Sequence, residues 1–574
     1  VNFLAKVLCQ DFGSDKCLKQ EVASLKRVTT PSFIQEFELL EPRHGGFKEI
    51  DQVENCSRRL YNATLGNLKK KVEQVKASQE WKEARTLPKG SRARNEAFRA
   101  ALIRAELTEN QVDRLMKDLR QGEFKDFIGS HVAQKIGIRA FSAISKLISG
   151  KGKRVRFKKR TEFFSFEGKD NKSFLRFLHP EGEAPYVQLR EKQYLVRVDP
   201  GCPYQKHALD SRCKYVRVVK RKIQGRVRYF AQLICEGTPY QDFEKTERHQ
   251  VKMEQMQKAS PWDSLLKPEH EEEISSKYKE SVCLDFGPKN VAISTSDFGF
   301  EREICKGLLP KKKEIRILQR AMDRSRRVMN PENFNFDKTI KKGKKLWNKS
   351  NQYIQLQTQL ADLYRKQTAH RKSIQGDLAN DVIVLGNCIK FEKVSYKGFQ
   401  KLYGKSIGLN APSNLQDMLT RKAVNARGRV ERINTFETKL SQTCLCGNQV
   451  KKPLFQRIHQ CRLCGLGVDG PPISRDLFSA FSGVFTENTE KKQGKKVTYS
   501  STLNLDQANL AMRGHRILSR AGLKSKNQTQ TSKENSCEGV EQSAVEGSAK
   551  KCDELLLRVR SLSKDLEKRE RVEA

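Results

Sequence analysis

Ser281-Val282-Cys283-Leu284-Asp285-Phe286-Gly287 is the stretch on which the fold turns. Val282, Leu284 and Phe286 alternate with their neighbours, so a strand puts these three on one face and Asp285 on the other. Gly287-Pro288-Lys289-Asn290 supplies a turn, and Val291-Ala292-Ile293-Ser294-Thr295 returns as a second strand. An aspartate inside an apolar strand is costly unless something pairs with its charge, and a metal ion is the simplest partner. An aspartate capping a strand end would need no partner.

Working outward, Cys388-Ile389-Lys390-Phe391-Glu392-Lys393-Val394 repeats the pattern. Glu392 comes late in a short apolar strand, read over 388–396, that follows a long helix from about Lys345 to Gly386. A third carboxylate, Asp476 in Arg475-Asp476-Leu477-Phe478-Ser479-Ala480-Phe481, opens a helix read over 474–484. Acidic residues are favoured at that position by the helix dipole alone. Asp469, nearer the cysteines, is the fallback position for the third carboxylate, and Asp506, opening a second helix read over 505–519, is a distant third.

Between the second and third carboxylates stand Cys444-Leu445-Cys446-Gly447 and Cys461-Arg462-Leu463-Cys464-Gly465. Two tight turns offering two thiolates each supply the four tetrahedral ligands that zinc prefers. The glycine after each pair suits the positive φ of such a turn. Cys444, Cys446, Cys461 and Cys464 are therefore the predicted Zn²⁺ ligands, with His459 as a substitute for one thiolate. The first pair is C-x-C where C-x-x-C is usual.

Length, 574 residues, suggests about four domains. Lys plus Arg number 111 against 68 Asp plus Glu, a net charge of +43. Such an excess calls for a polyanion, and nucleic acid fits better than a membrane surface. No run of about 18 apolar residues is present, and no charged-then-apolar leader pattern opens the chain, so a soluble, non-secreted protein is expected. Fifteen cysteines, mostly scattered singly, suit a reducing compartment. The nine histidines are dispersed and offer no histidine-based nuclease centre.

The rest of the chain divides by pattern. Residues 28–42 read as strand, and 50–150 as helix with an apolar period of 3.6. The run 151–160 carries Lys153, Arg154, Arg156, Lys158, Lys159 and Arg160, with phenylalanines at 157, 163, 164 and 166. That mixture suits phosphate binding and base stacking. Strands are read at 163–166, 186–189, 194–198, 215–219 and 228–234, which makes a small barrel interrupted by a helical insertion. Residues 241–279 read as a polar linker. A basic helix over 311–327 carries Lys311, Lys312, Lys313 and Arg316. Beyond Ala521 the chain reads as low-complexity, with a short helical stripe at Leu555, Val559, Leu562 and Leu566.

In order and in local wording, residues 281–485 resemble the RuvC-like nuclease of the TnpB family, transposon-encoded relatives of the compact type V CRISPR effectors. "LDFGPKN" resembles the first motif and "IKFEKVSYKGF" the second. "SQTCLCG", "CRLCG" and "SRDLFSAF" resemble the zinc ribbon running into the third. "CSRRLYN" and the basic-aromatic run resemble the family more loosely. Where many members carry asparagine two residues after the last aspartate, this chain has Phe478.

The resemblance implies an α/β multidomain protein: an RNase H-like (RuvC) nuclease with an inserted zinc ribbon, plus an N-terminal β-barrel (wedge) interrupted by a helical recognition lobe. The implied boundaries are wedge 1–49 and 151–245, helical lobe 50–150, linker 246–280, nuclease 281–440 and 467–520, zinc ribbon 441–466, and tail 521–574. Asp285, Glu392 and Asp476 would be catalytic and hold Mg²⁺ or Mn²⁺. The partners implied are a guide RNA and target double-stranded DNA, with a short adjacent motif read by the protein and no membrane. The location implied is the cytoplasm of a bacterium or archaeon, at the nucleoid. Two other readings stand beside it. One is a catalytically silent RNA-guided DNA-binding protein on the same fold, acting as a repressor or transposition regulator. The other is a conventional transposase, which the ribbon between the second and third carboxylates disfavours.

Overall fold

The computed structural model describes residues 31–89, 91–258, 274–453, 455–468, 473–493 and 496–518. Asp469 and the tail from 519 lie outside the described residues. The chain divides into two units, one of residues 1–241 and 313–364, the other of 242–312 and 365–574.

The first unit is built on a seven-stranded antiparallel sheet. Its strands are β1 (Ser32–Leu39), β2 (Phe166–Glu167), β3 (Leu175–Leu178), β4 (Tyr186–Leu189), β5 (Lys192–Arg197), β6 (Cys213–Ile223) and β7 (Arg226–Glu236). They lie in the order β2-β6-β7-β1-β5-β4-β3, and the sheet curls until β3 comes back against β6. Gln224 and Gly225, both at positive φ, make the two-residue turn that the twist of β6 and β7 requires.

Five helices intervene between β1 and β2, beginning with Lys48–Ala77. Ile50, Val53, Leu60, Leu65, Leu68, Val72 and Val75 form one buried stripe along it. Ser78 ends this helix in extended backbone, and its side chain caps the next by accepting from Trp81 N. Thr108 and Gln111 form a capping box for the helix Glu109–Gln121. Helices and sheet share one continuous hydrophobic core. The sequence reading missed β3, whose four residues are too short to show a period.

The second unit carries a six-stranded mixed sheet: β8 (Ser281–Phe286), β9 (Asn290–Ser294), β10 (Phe298–Glu303), β11 (Cys388–Glu392), β12 (Arg429–Ile433) and, at the far edge, Arg516–Leu518. The order is β12-β11-β8-β9-β10 and then the edge strand. β8, β9 and β10 form an antiparallel meander, while β11 runs parallel to β8 and β12 parallel to β11. Val282, Leu284 and Phe286 point to a core with Ile389 and Phe391, covered by Leu378, Ala379 and Val382 and by Leu415 and Leu419. The opposite face is covered by the helix Arg475–Val484.

Several elements differ from their sequence reading. The long helix runs Asn351–Ile383, and the strand after it ends at Glu392. The described part of the expected linker forms helices at Phe243–Lys258 and Ser276–Lys279. The helix expected over 505–519 stops at Gly514, and Arg516–Leu518 joins the sheet edge beside β10. A hairpin of Thr486–Gln493 and Lys496–Leu503 was not anticipated, because its residues are polar on both faces. Among the described residues no helix is long and apolar enough to cross a membrane.

Gly483 lets the covering helix approach the sheet, since a Cβ there would overlap the Cys283 Sγ and press on Ile433. Alanine ordinarily stabilises a helix by about 1 kcal/mol over glycine. Here Gly483→Ala is expected to destabilise by roughly 1–3 kcal/mol through overpacking. Thermal unfolding of Gly483→Ala, Cys283→Ala and the double variant checks this, with the double variant recovering much of the loss.

Candidate metal and carboxylate centres

Register determines which side chains meet. Lys390 lies opposite Cys283 and Phe391 opposite Leu284, so the next residues along these parallel strands, Glu392 and Asp285, are neighbours. Strand alternation puts Cys283, Asp285, Lys390 and Glu392 on the face under the helix Arg475–Val484. On that helix Asp476, Ser479 and Gly483 fall at three- and four-residue spacing, along one stripe. Ser479 hydrogen-bonds the Asp285 carboxylate.

Burial raises the Asp285 proton affinity well above the usual carboxylate range, and the charges of Glu392 and Asp476 add to it. Burial likewise pushes Glu392 up to about 7. Asp476 is held at the helix start by Arg457 (3.4 Å) and Arg475 (3.5 Å). The charges of Glu392 and Asp476 thus both reach Asp285. Among the described residues, however, only the four cysteines gather potential ligand atoms within 4.8 Å of one another.

Two further residues belong to this place and carried no signal in the sequence. Lys390, buried, donates from Nζ to the carbonyls of Val484 and Thr486, both at 2.8 Å, and so pins the C-terminal end of the covering helix to the sheet. The hydroxyl of Tyr396 is buried without a hydrogen-bond partner, and the Asp285 charge is among those that reach it. Arg432, stacked over Phe391 at 5.2 Å, lies with that ring on the reverse face of the sheet. Asp506, by contrast, is exposed at the start of the helix Leu505–Gly514 and is not among the charges that act most on Asp285.

The cysteine pairs come together as two crossing contacts, Cys444 with Cys464 and Cys446 with Cys461, each 3.6 Å between sulfurs. Four thiolates about 2.3 Å from a tetrahedral zinc ion stand about 3.8 Å apart, so the donor set fits that metal. Gly447 and Gly465 take positive φ, as the turns demand. Burial raises the Cys461 thiol, but the amide groups of Cys464 and Leu463 and the Asn448 side chain outweigh it and bring it to about 6. The balance falls the other way on Cys444 and Cys464, where burial raises both thiols.

His459 is not a fourth ligand. Its ring is fully buried, stacks on Phe478 at 3.5 Å, and accepts from Lys452 Nζ at 2.8 Å. Burial and the Lys452 charge depress its pKa to about 3. Phe478 is the floor of this stack.

The basic run 151–160 is extended chain tied to the helix Lys48–Ala77. Asn62 brackets Lys158 by accepting from its N–H (2.8 Å) and donating to its carbonyl (2.9 Å), and Arg58 also reaches that carbonyl. Lys153, Arg154, Arg156, Lys159 and Arg160 are exposed, Lys158 is half-buried, and Phe157 and Phe163 are exposed beside them. Lys312, Lys313 and Arg316 are exposed on the helix Lys312–Met329, which buries no residue, and Lys311 precedes it half-buried.

No protein-family model and no curated protein matches the chain. Among solved structures it is similar to one described as a cryo-EM structure of the Cas12f1-sgRNA-target DNA complex. The identity is 12%, with 79% of this chain and 99% of that chain covered and a TM-score of 0.36.

Purified protein is expected to hold about one zinc per chain by elemental analysis. Cys461→Ser should lose the metal and lower the melting temperature, whereas His459→Gln should keep it.

Proposed function

We propose that this protein is an RNA-guided DNA endonuclease with a metal-dependent RuvC-like site. The observation that carries the nuclease reading is the pair of half-buried carboxylates, Asp285 and Glu392, in register on adjacent parallel strands under the helix that carries Asp476. The strand order, a three-stranded meander flanked by two parallel strands, supports an RNase H-like arrangement. The RNA-guided part rests on the resemblance of residues 281–485 to the TnpB family and on the net charge of +43. Guide RNA and target double-stranded DNA are the partners proposed.

The donor set fits a hard divalent cation. Asp285 and Glu392, half-buried and mutually repelling, and Asp476, whose charge also acts on Asp285, concentrate negative charge that Mg²⁺ or Mn²⁺ would neutralise. Asp285, Glu392 and Asp476 would hold it. When bound, such ions supply an activated water and charge stabilisation at the scissile phosphodiester. The chain's own residues position these groups. Ser479 orients the Asp285 carboxylate, Lys390 anchors the helix, and Arg457 and Arg475 hold Asp476 near the site until a cation competes for it. The exposed cations of 153–160, with Lys311, Lys312, Lys313 and Arg316, would bind phosphates.

The arginine pairs on Asp476 also give weight to the second reading, a silent RNA-guided binder in which those arginines replace the metal. Asp285→Asn, Glu392→Gln and Asp476→Asn separate the two. Each is expected to lower guided cleavage with Mg²⁺ or Mn²⁺ by at least about 100-fold while leaving guided DNA binding unchanged. Asp506→Asn and Asp469→Asn should cut normally. Wild-type protein that binds target and never cuts would establish the silent binder.

The raised Glu392 pKa gives a second test. Its folded value, about 7, lies above the unfolded value near 4.5, so folding favours the protonated form. Without divalent ions this group is not destabilising below about pH 4.5 and becomes progressively so as pH rises to about 7. At pH 8 with chelator, Glu392→Gln should therefore be more stable than wild type, by on the order of 2 kcal/mol. Thermal unfolding should show that gain shrinking towards pH 5 and reversing when Mg²⁺ is added.

A further inference from the structure

The segment 330–350, after the helix Lys312–Met329, is an ordered loop with an unusual tip. Asn330, fully buried, donates to the Asn348 carbonyl and accepts from the Asn348 N–H, at 2.9 and 2.7 Å. Asn333 donates to the Leu346 carbonyl at 2.6 Å. Between these clamps Phe334 packs edge-on against Trp347 at 5.7 Å, with Arg327 over the first ring and Arg326 over the second. Both arms are therefore fixed by their own small core.

The tip is fixed as well. Phe334 and Ile340 form a bridge, Asp337 accepts from the Thr339 N–H and hydroxyl, and Lys338 takes a positive φ. Phe336 stands at this apex with a relative exposure of 107%. The loop folds two of its aromatic rings inward and projects the third. Lys338, Lys341, Lys342 and Lys344 follow it within eight residues on the same loop and are all exposed.

An exposed ring held on a hydrogen-bonded turn, on a loop that also carries these four exposed lysines, matches one ligand chemistry better than others. A base offers a face for the ring, and its flanking phosphates meet the lysines. An apolar protein pocket would take the ring but gain nothing from the charge. We infer that Phe336 is a stacking platform for an unpaired nucleobase of a bound RNA or DNA strand. The inference rests on the proposed nucleic-acid role of the chain and not on cleavage.

The test uses the full chain carrying Asp285→Asn, with labelled single-stranded RNA, single-stranded DNA and blunt duplex DNA of about 20 nucleotides as probes. Phe336→Trp adds a fluorophore to the three native tryptophans, and a single strand should quench that added emission while the duplex leaves it unchanged. Phe336→Ala should weaken single-strand binding roughly 5- to 50-fold, with the slope of log affinity against log salt unchanged. Phe336→Tyr should restore binding and Phe336→Leu should not. Lys341→Ala with Lys342→Ala should lower the salt slope. The strand type that loses more identifies the source of the base. If the emission added by Phe336→Trp stays unquenched, or Phe336→Ala binds both strands within about twofold of the parent, the assignment is overturned. Leucine restoring full binding also overturns it, in favour of an apolar protein contact. A parent chain that binds no oligonucleotide overturns the nucleic-acid role along with it.

Discussion

Asp285 and Glu392 are forced together by strand register, and everything around them answers the cost of that contact. Like charges on neighbouring parallel strands, under an apolar helix, would expel one another if either could leave the sheet. Neither can, because Val282, Leu284, Phe286, Ile389 and Phe391 on the reverse face lock both strands into one core. The strain is instead taken up as proton affinity. Burial raises both proton affinities, and the Glu392 charge raises that of Asp285 further.

The covering helix determines whether a third carboxylate joins. Its approach depends on a glycine at 483, on Lys390 holding the carbonyls at its C-terminal end, and on the cysteine cluster at its N-terminal end. The last link is direct. Ile458–His459 pairs with Ile473–Ser474, which runs straight into Arg475 and Asp476. His459 also stacks on Phe478 of the same helix. A metal clasp on the four thiols would therefore fix the start of the helix as well as the ribbon. Loss of zinc should be felt at Asp476, although no thiol touches it.

In the first unit, charge is placed by neutral side chains. Asn62 binds the backbone of the basic run, so the lysine and arginine side chains around Lys158 stay free to point outward. Asn330 and Asn333 do the same for the loop 330–350. Amide clamps on main chain fix the backbone of both segments without engaging their lysine side chains.

The sequence by itself determined the alternation of β8, the late glutamate of β11, the helix opened by Asp476, and the two glycine-followed cysteine turns. Each of these is local: a period of two, a cap, a positive φ. It could not decide register. Whether Glu392 falls beside Asp285 depends on pairing between residues more than a hundred positions apart, and a slip of one would turn Glu392 into the core. Nor could it separate Asp476 from Asp506, since both open helices, and only packing brings the first over the sheet. His459 and Phe478 read as a spare ligand and a departure from pattern until the fold stacked one on the other. Lys390, Ser479 and Tyr396 were silent for the same reason. Their roles come from what lies across from them, and that is written only in three dimensions.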